Sequence, residues 1–337
     1  MECIVCDQPN KLVKTSRTAP SKEKGQAIIT IERIGVCGTD FHAYNGNQPF
    51  FQYPRVLGHE LAGTVEWIDP DVSNIKKGDR VSIIPYLECG TCTACRQNKP
   101  NCCRNLKVIG VHVDGGMCEQ MSVPVDHLLI TNDISFDEAA VLEPLSIGAH
   151  AIKRSRLIAG DTVLVIGAGP IGLGVMAFAK KEGANVIAMD VNRNRLKFCR
   201  DWAQVDHVID AMDAPMDTLD DLTDGDLPSI VFDATGNRDS MKKAFHFTAH
   251  GGELIYVGLV KDQITFFDPD FHEKELSLLA SRNATRSDFE YVKRCIQSGQ
   301  INIDNYITHR TAFADTVKTF SEWLDSEANV IKAMIEG

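Results

Sequence analysis

Cys89, Cys92, Cys95 and Cys103 follow one another at x2, x2 and x7 spacing. Each short step brings two sulfurs to one side of the chain, and the longer step lets it fold back. Four thiolates so arranged surround a single tetrahedral metal, for which zinc is the usual guest. Such a site leaves no position for water or substrate, so its work is structural. Upstream, Cys37-Gly38-Thr39-Asp40-Phe41-His42 and Gly58-His59-Glu60 offer a second donor set. Cys37 and His59 are the expected ligands there, with Glu60 or Glu143 completing the set. A centre with fewer protein ligands keeps a position open, as Lewis-acid chemistry on a hydroxyl requires. Taken singly, Cys37 reads equally well as a core thiol and His59 as a satisfied loop histidine; their joint presence carries the reading.

A third constellation is Gly167-Ala168-Gly169-Pro170-Ile171-Gly172, after an apolar strand and before a helix. That context is the one a dinucleotide fingerprint needs. Gly167 permits the tight turn, Gly169 lets a pyrophosphate approach the backbone, and Gly172 allows helix and strand to pack closely. The start of the helix, which Pro170 opens and Ile171 follows, presents unpaired N–H groups after the proline and a positive dipole end to phosphate. Asp190 ends the next strand, where a carboxylate accepts the adenine-ribose hydroxyls and repels a 2′-phosphate, so NAD is expected over NADP. Arg193 blurs that preference only if it is not a solvated residue at the next helix start. Arg195 and Arg282 complete the expected cofactor contacts, although Arg282 serves equally as a partner for a substrate carboxylate.

These residues need elements to position them. Residues 1 to about 145 read as mainly β, with short alternating runs such as 27–34, 61–68 and 78–84 broken by turn residues. From about residue 146 strands and helices alternate: a helix at 147–155, then strands at 162–166, 185–189, 207–209, 230–232, 253–257 and 276–280. Six strands in that rhythm make a doubly wound parallel sheet. Two amphipathic helices, at 287–298 and 313–326, precede a β-like tail at 330–335. The acidic stretch 210–226 reads as a long surface connection.

With 337 residues the chain is long enough for two domains. Its net charge of −11 argues against a nucleic-acid surface, and hence against a DNA-binding finger for the four-cysteine loop. No apolar run spans a bilayer, and the N-terminus lacks a signal peptide's layout. Eleven cysteines without such a signal point to reduced thiols in the cytoplasm. Cys3, Cys6, Cys102, Cys118, Cys199 and Cys295 have no metal-like spacing and are expected to be buried or incidental.

Together, Cys37-Gly-Thr-Asp, Gly58-His-Glu, the Cys89 to Cys103 loop, Leu142-Glu-Pro-Leu and Gly167-x-Gly-x-x-Gly resemble the zinc-containing medium-chain alcohol dehydrogenases from end to end. The resemblance implies an α/β fold: a GroES-like β domain from residues 1–147 and 282–337, with a Rossmann domain, 148–281, inserted. Glu143, where simple alcohol dehydrogenases carry a second cysteine ligand, resembles the polyol and sugar dehydrogenases. Asp69 departs from the small residue usual there, so a changed turn is expected. The stretches Gly46-Asn-Gln-Pro-Phe-Phe, Asn101-Cys-Cys-Arg, Val108-Ile-Gly-Val-His-Val-Asp-Gly-Gly and Ser281-Arg-Asn-Ala-Thr are similar to bacterial L-galactonate and L-gulonate 5-dehydrogenases.

What the resemblance implies is an NAD-dependent enzyme with two zinc ions per subunit, one catalytic and one structural. It would oxidise the C5 hydroxyl of a sugar acid to tagaturonate or fructuronate; a polyol or L-threonine dehydrogenase is the alternative. Thr39 is the expected first proton relay and His42 the second, with Glu60 and Glu143 exchanging on the metal. Asn47, Gln48 and His112 are the substrate candidates. Arg55 reads equally as a partner for the substrate carboxylate and as a structural ion-pair residue, and Phe50 and Phe51 as pocket wall or core. A homodimer or homotetramer is expected.

Overall fold

The computed structural model describes every residue except Pro49 and Ser73, together with all side chains but that of Ser326. It divides into two compact units, Met1–Glu143 with Thr285–Gly337, and Pro144–Ala284.

The first unit is built on the long strand Gln26–Val36. Its apolar residues Ile29, Ile31 and Ile34 are buried and pack with Leu61, Val65, Val81 and Ile83. Around it runs a seven-stranded sheet in the order Leu128–Ile130, Arg80–Ile83, Glu60–Ile68, Gln26–Val36, Lys332–Glu336, Ile307–Ala312, with Gln120–Pro124 also paired to Gln26–Val36. The register decides which side chains meet: Gly35 lies opposite both Glu60 and Met334, and Val36 opposite Ala333. One step further along that register, Lys332 comes beside Cys37. A three-stranded sheet of Lys11–Ser16, Glu2–Gln8 and Arg55–Val56 packs into the same core.

The second unit is a six-stranded sheet, every neighbouring pair parallel. Its order is His207–Asp210, Asn185–Asp190, Thr162–Ile166, Ile230–Asp233, Glu253–Tyr256, Ser277–Ala280. In chain order that is 3-2-1-4-5-6, the doubly wound dinucleotide-binding arrangement. Leu164, Ile187, Val231 and Leu254 supply its buried β-branched and leucine core.

Several sequence-based expectations need correction. The stretch 210–226 is more than a surface connection: Pro215–Thr223 is a helix, with Pro215 at its start and Leu219 fully buried. Its acidic residues mask one apolar stripe, which tertiary packing uses. The helix expected from residue 147 begins at Leu142, so Glu143 stands in a helical first turn. The segment 313–326 is a 3₁₀ turn, Phe313–Asp315, followed by the helix Thr316–Glu322. Asp69 accepts hydrogen bonds from the N–H groups of Gly25 and Asp71.

Candidate metal and dinucleotide sites

Cys37 follows the central strand directly and is the N-cap of the helix Gly38–Tyr44. Asp40, three residues on, closes a capping box by accepting from the Cys37 N–H at 2.9 Å; its other oxygen accepts from the Gly58 N–H at 3.2 Å. One buried carboxylate thus ties together the two loops that carry Cys37 and His59. It also lies 3.7 Å from His59 Nδ1. Ligand atoms of Cys37, His59 and Glu60 fall within 4.8 Å of one another.

Glu60 reaches this cluster over a glycine. A Cβ on Gly35 would stand 2.0 Å from Glu60 Oε2, so only glycine leaves the carboxylate room. Both Glu60 oxygens accept from Lys332 Nζ, at 2.6 and 2.7 Å, and the pair is fully buried. Burial would discharge Lys332, but the charges of Glu60 and Cys37 outweigh it and raise its pKa. Glu143, buried in its helical first turn, accepts from the Tyr86 hydroxyl through Oε1, while Oε2 has no hydrogen-bond partner among the described residues. Burial pushes the Glu143 carboxyl up to about 7, opposed by the neighbouring His59 charge. Burial likewise holds the Tyr86 hydroxyl well above its usual range, so it stays a donor.

The chemistry of this set fits a divalent cation. Cys37, Asp40, Glu60 and Glu143 are four acidic groups, set against the single ammonium of Lys332. A buried carboxylate oxygen with no donor is costly unless a cation meets it. For His59, burial lowers the pKa, yet Asp40 and Cys37 override it and raise the pKa well above the ordinary value. That is the field of a cation site.

The four-cysteine loop forms as its spacing implies. Cys92 is the N-cap of the short helix Thr93–Arg96, which carries Cys95, and Cys103 follows the 3₁₀ turn Pro100–Cys102. The sulfur of Cys92 lies 3.5 Å from that of Cys95 and 3.9 Å from that of Cys103. Four sulfurs at about 2.3 Å from a tetrahedral zinc would stand about 3.8 Å apart. N–H groups of Thr91 and Cys92 favour the Cys89 thiolate, bringing its pKa down to about 6. The six cysteines without metal-like spacing are buried, apart from the exposed Cys102.

In the second unit, Gly167 turns at φ +100°, and a Cβ on Gly172 would lie 1.8 Å from the Gly167 carbonyl oxygen. Around Gly169, by contrast, nothing lies within 4 Å of an added Cβ. That open position stands at the N-terminus of the twelve-residue helix Pro170–Lys181, whose first N–H groups lack intrahelical partners. Ile171 lies in that helix's first turn. Asp190 has a task the sequence did not reveal: its carboxylate accepts from the Ala168 N–H at 2.6 Å and from the Asn192 N–H at 2.8 Å, anchoring the turn itself. Arg193 is solvated and paired with Asp210. Arg195 is half-buried in the following helix, and Arg282 is exposed after the last strand.

Thr39 is half-buried and His42 exposed, three residues apart on the helix that Cys37 caps. Gln48 accepts from the Phe50 N–H, and the Phe50 ring stacks on His112 at 5.9 Å, which draws Gln48 and His112 into one surface patch. His112 Nδ1 accepts from the Val108 N–H, fixing the ring. Asn47 is exposed beside them in sequence. Phe50 is exposed rather than core, whereas Phe51 packs edge-on to Tyr53. Arg55 pairs with Asp114, which favours the structural of its two expected roles. Sequence reasoning missed Asp40, Tyr86 and Lys332. The visible signal for Lys332 was a lone cation in the apolar run Val330–Ile335.

Two family models cover most of the chain: the alcohol dehydrogenase GroES-like domain over residues 23–133 and the zinc-binding dehydrogenase over residues 170–298. The chain is 40% identical to the L-galactonate-5-dehydrogenase of Escherichia coli K12, over 99% of this chain and 98% of that one. It is 30% identical to the 2-dehydro-3-deoxy-L-galactonate 5-dehydrogenase of Pseudoalteromonas atlantica, over 94% and 93%. A crystal structure of RspB from E. coli CFT073, described as an alcohol dehydrogenase complexed with NADH, superposes with a TM-score of 0.93 at 29% identity, covering 100% of this chain and 99% of that one.

Proposed function

Because the chain belongs to the zinc-containing alcohol dehydrogenases, we propose that this oxidoreductase transfers hydride from the C5 hydroxyl of a sugar acid to NAD. L-Galactonate or L-gulonate would be the substrate, giving tagaturonate or fructuronate. The observation that carries the reading is the donor set of half-buried Cys37 with buried His59 and Glu60 within 4.8 Å, with the Glu143 charge acting on His59. Cys37, His59 and one of the two glutamates would hold zinc, and Cys89, Cys92, Cys95 and Cys103 a second zinc. When bound, the first zinc supplies Lewis acidity to the substrate hydroxyl, and nicotinamide supplies the hydride acceptor.

The chain's own residues do the rest. Thr39 takes the hydroxyl proton, and His42, one turn further and exposed, passes it to solvent. Asp40 keeps Cys37 and His59 in register through its two backbone bonds and its charge on the imidazole. Gly167, Gly169, Pro170, Ile171 and Gly172 would receive the pyrophosphate, and Asp190 the adenine ribose, with Arg195 and Arg282 as further cofactor contacts. Pairing of Arg193 with Asp210 supports NAD over NADP, since that guanidinium already has a carboxylate. Asn47, Gln48 and His112 would bind the polar substrate. Names of the two curated relatives, both 5-dehydrogenases of galactonate compounds, support the substrate class. No helix among the described residues is long and apolar enough to cross a membrane. We place the enzyme in the cytoplasm as a homodimer or homotetramer.

Metal analysis tests the centre of this reading. Two zinc ions per chain are expected, with activity lost on chelation of the more labile ion and regained with Zn²⁺. A single tightly held ion and chelator-resistant activity would sink it.

A further inference from the structure

Glu60 lies within 4.8 Å of Cys37 and His59, and Glu143 is near enough for its charge to act on His59, but the oxygens of the two glutamates are differently engaged. Both oxygens of Glu60 accept from the Lys332 ammonium. Only Glu143 keeps a buried oxygen, Oε2, that no donor meets among the described residues. What decides which of its oxygens stays bare is Tyr86, whose hydroxyl donates to Oε1.

Tyr86 is itself held firmly. It lies in the two-residue strand Tyr86–Leu87, paired with Lys107–Val108, with Tyr86 opposite Val108 and Leu87 opposite Lys107. Its ring is buried and meets Phe289 edge-on at 6.3 Å. The two strands flank the four-cysteine loop, which begins at Cys89 and ends at Cys103. The loop therefore closes the far end of the ribbon whose base carries Tyr86.

We propose that Tyr86 is a positioning residue: by claiming Oε1 it presents Oε2 of Glu143 to the metal held by Cys37 and His59. The inference rests on the catalytic-metal reading above. Partners that orient a ligand's second polar atom typically change metal affinity about 10- to 100-fold when removed. A phenol is the right device here, because its single hydroxyl donates one hydrogen bond from a ring that packing holds in place.

The test is a competition titration of full-length protein with Zn²⁺ against a chromophoric chelator, repeated with Co²⁺ to read its visible absorption bands. Tyr86→Phe is expected to weaken the second, weaker site about 10- to 100-fold and to shift the Co²⁺ bands, with the four-cysteine site unchanged. Unchanged affinity and spectrum in a folded variant would overturn the proposal. Glu143→Gln supplies a readout that a merely structural tyrosine would not move. If Tyr86 claims the carbonyl oxygen of the amide, the NH₂ group is turned toward the metal, so Glu143→Gln should bind metal no better than Glu143→Ala. Adding Tyr86→Phe frees the amide to flip and should partly restore binding, a non-additive result. Should Tyr86→Phe fail to fold, Glu143→Ala decides alone: unchanged Zn²⁺ affinity and Co²⁺ bands at the second site would show that no Glu143 oxygen meets the metal and reject the proposal. If the wild-type chain binds only one ion, the catalytic-metal reading has failed; if it binds two and the variants behave additively, only the role of Tyr86 has.

Discussion

Lys332 and Glu60, 272 residues apart in sequence, form a fully buried ion pair with the ammonium within 2.7 Å of both carboxylate oxygens. Gly35 makes the pair possible, since any side chain there would occupy the space of the Glu60 carboxylate. Removing one member of a buried pair strands the other's charge, which typically costs about 3–5 kcal/mol. Lys332→Met is therefore expected to destabilise the metal-free protein by about that amount in denaturant titration. Zinc should recover part of the loss, because a cation then meets Glu60. An equal loss with and without zinc would mean that Glu60 does not face the metal.

A pH prediction follows from Glu143. Its carboxyl is raised from 4.5 to about 7 chiefly by burial. A raised folded-state pKa means that the folded chain binds the proton more tightly than the unfolded chain. The group's contribution to metal-free stability is thus fully present below pH 4.5 and is lost as pH rises through about 7. Zinc must displace that proton if Glu143 binds it, so affinity at this site should fall as pH drops below about 7. Calorimetry in buffers of different ionisation enthalpy reads the released proton. Proton release no greater than in Glu143→Gln would count against ligation by Glu143.

Two glycines of the fingerprint should behave oppositely. At Gly172 an added Cβ strikes the Gly167 carbonyl at 1.8 Å, so Gly172→Ala should lower Tm and distort the turn. Gly169 has an extended backbone, φ −79° and ψ 179°, and open space at its Cβ position. Gly169→Ala should leave Tm nearly unchanged and weaken NADH binding at least tenfold by fluorescence titration. Undiminished NADH affinity would remove Gly169 from the proposed pyrophosphate path.

Cys92→Ser should release one zinc per chain and damage stability or assembly before the chemical step. Its sulfur sits 3.5 Å from Cys95 and 3.9 Å from Cys103, so its loss opens the tetrahedron. Thermal unfolding, zinc content and sedimentation measure the effect; a variant identical to wild type in all three would make the loop ornamental.

What the sequence made legible was local chemistry. The four cysteines and the glycine fingerprint each lie within one short segment, and their spacing alone forces the geometry. The strand Thr162–Ile166 was read to the residue because a short apolar run between turn signals has few alternatives. Tyr86 gave no signal and Lys332 only that of a lone cation in an apolar run, since their meaning lies in partners 57 and 272 residues away. The helix Pro215–Thr223 was masked by its acidic surface, with one fully buried leucine, Leu219, marking its inner face. Asp190 was read for its expected ligand, while its bond to the Ala168 N–H came from the sheet register.

The substrate remains the central claim. The most direct measurement is NADH formation by the purified protein with L-galactonate and L-gulonate in parallel, with sorbitol and L-threonine as controls. Rapid turnover of one aldonate with NAD⁺, and little with either control, is the predicted result. Turnover of sorbitol or threonine alone would keep the zinc and nucleotide chemistry and contradict the sugar-acid assignment.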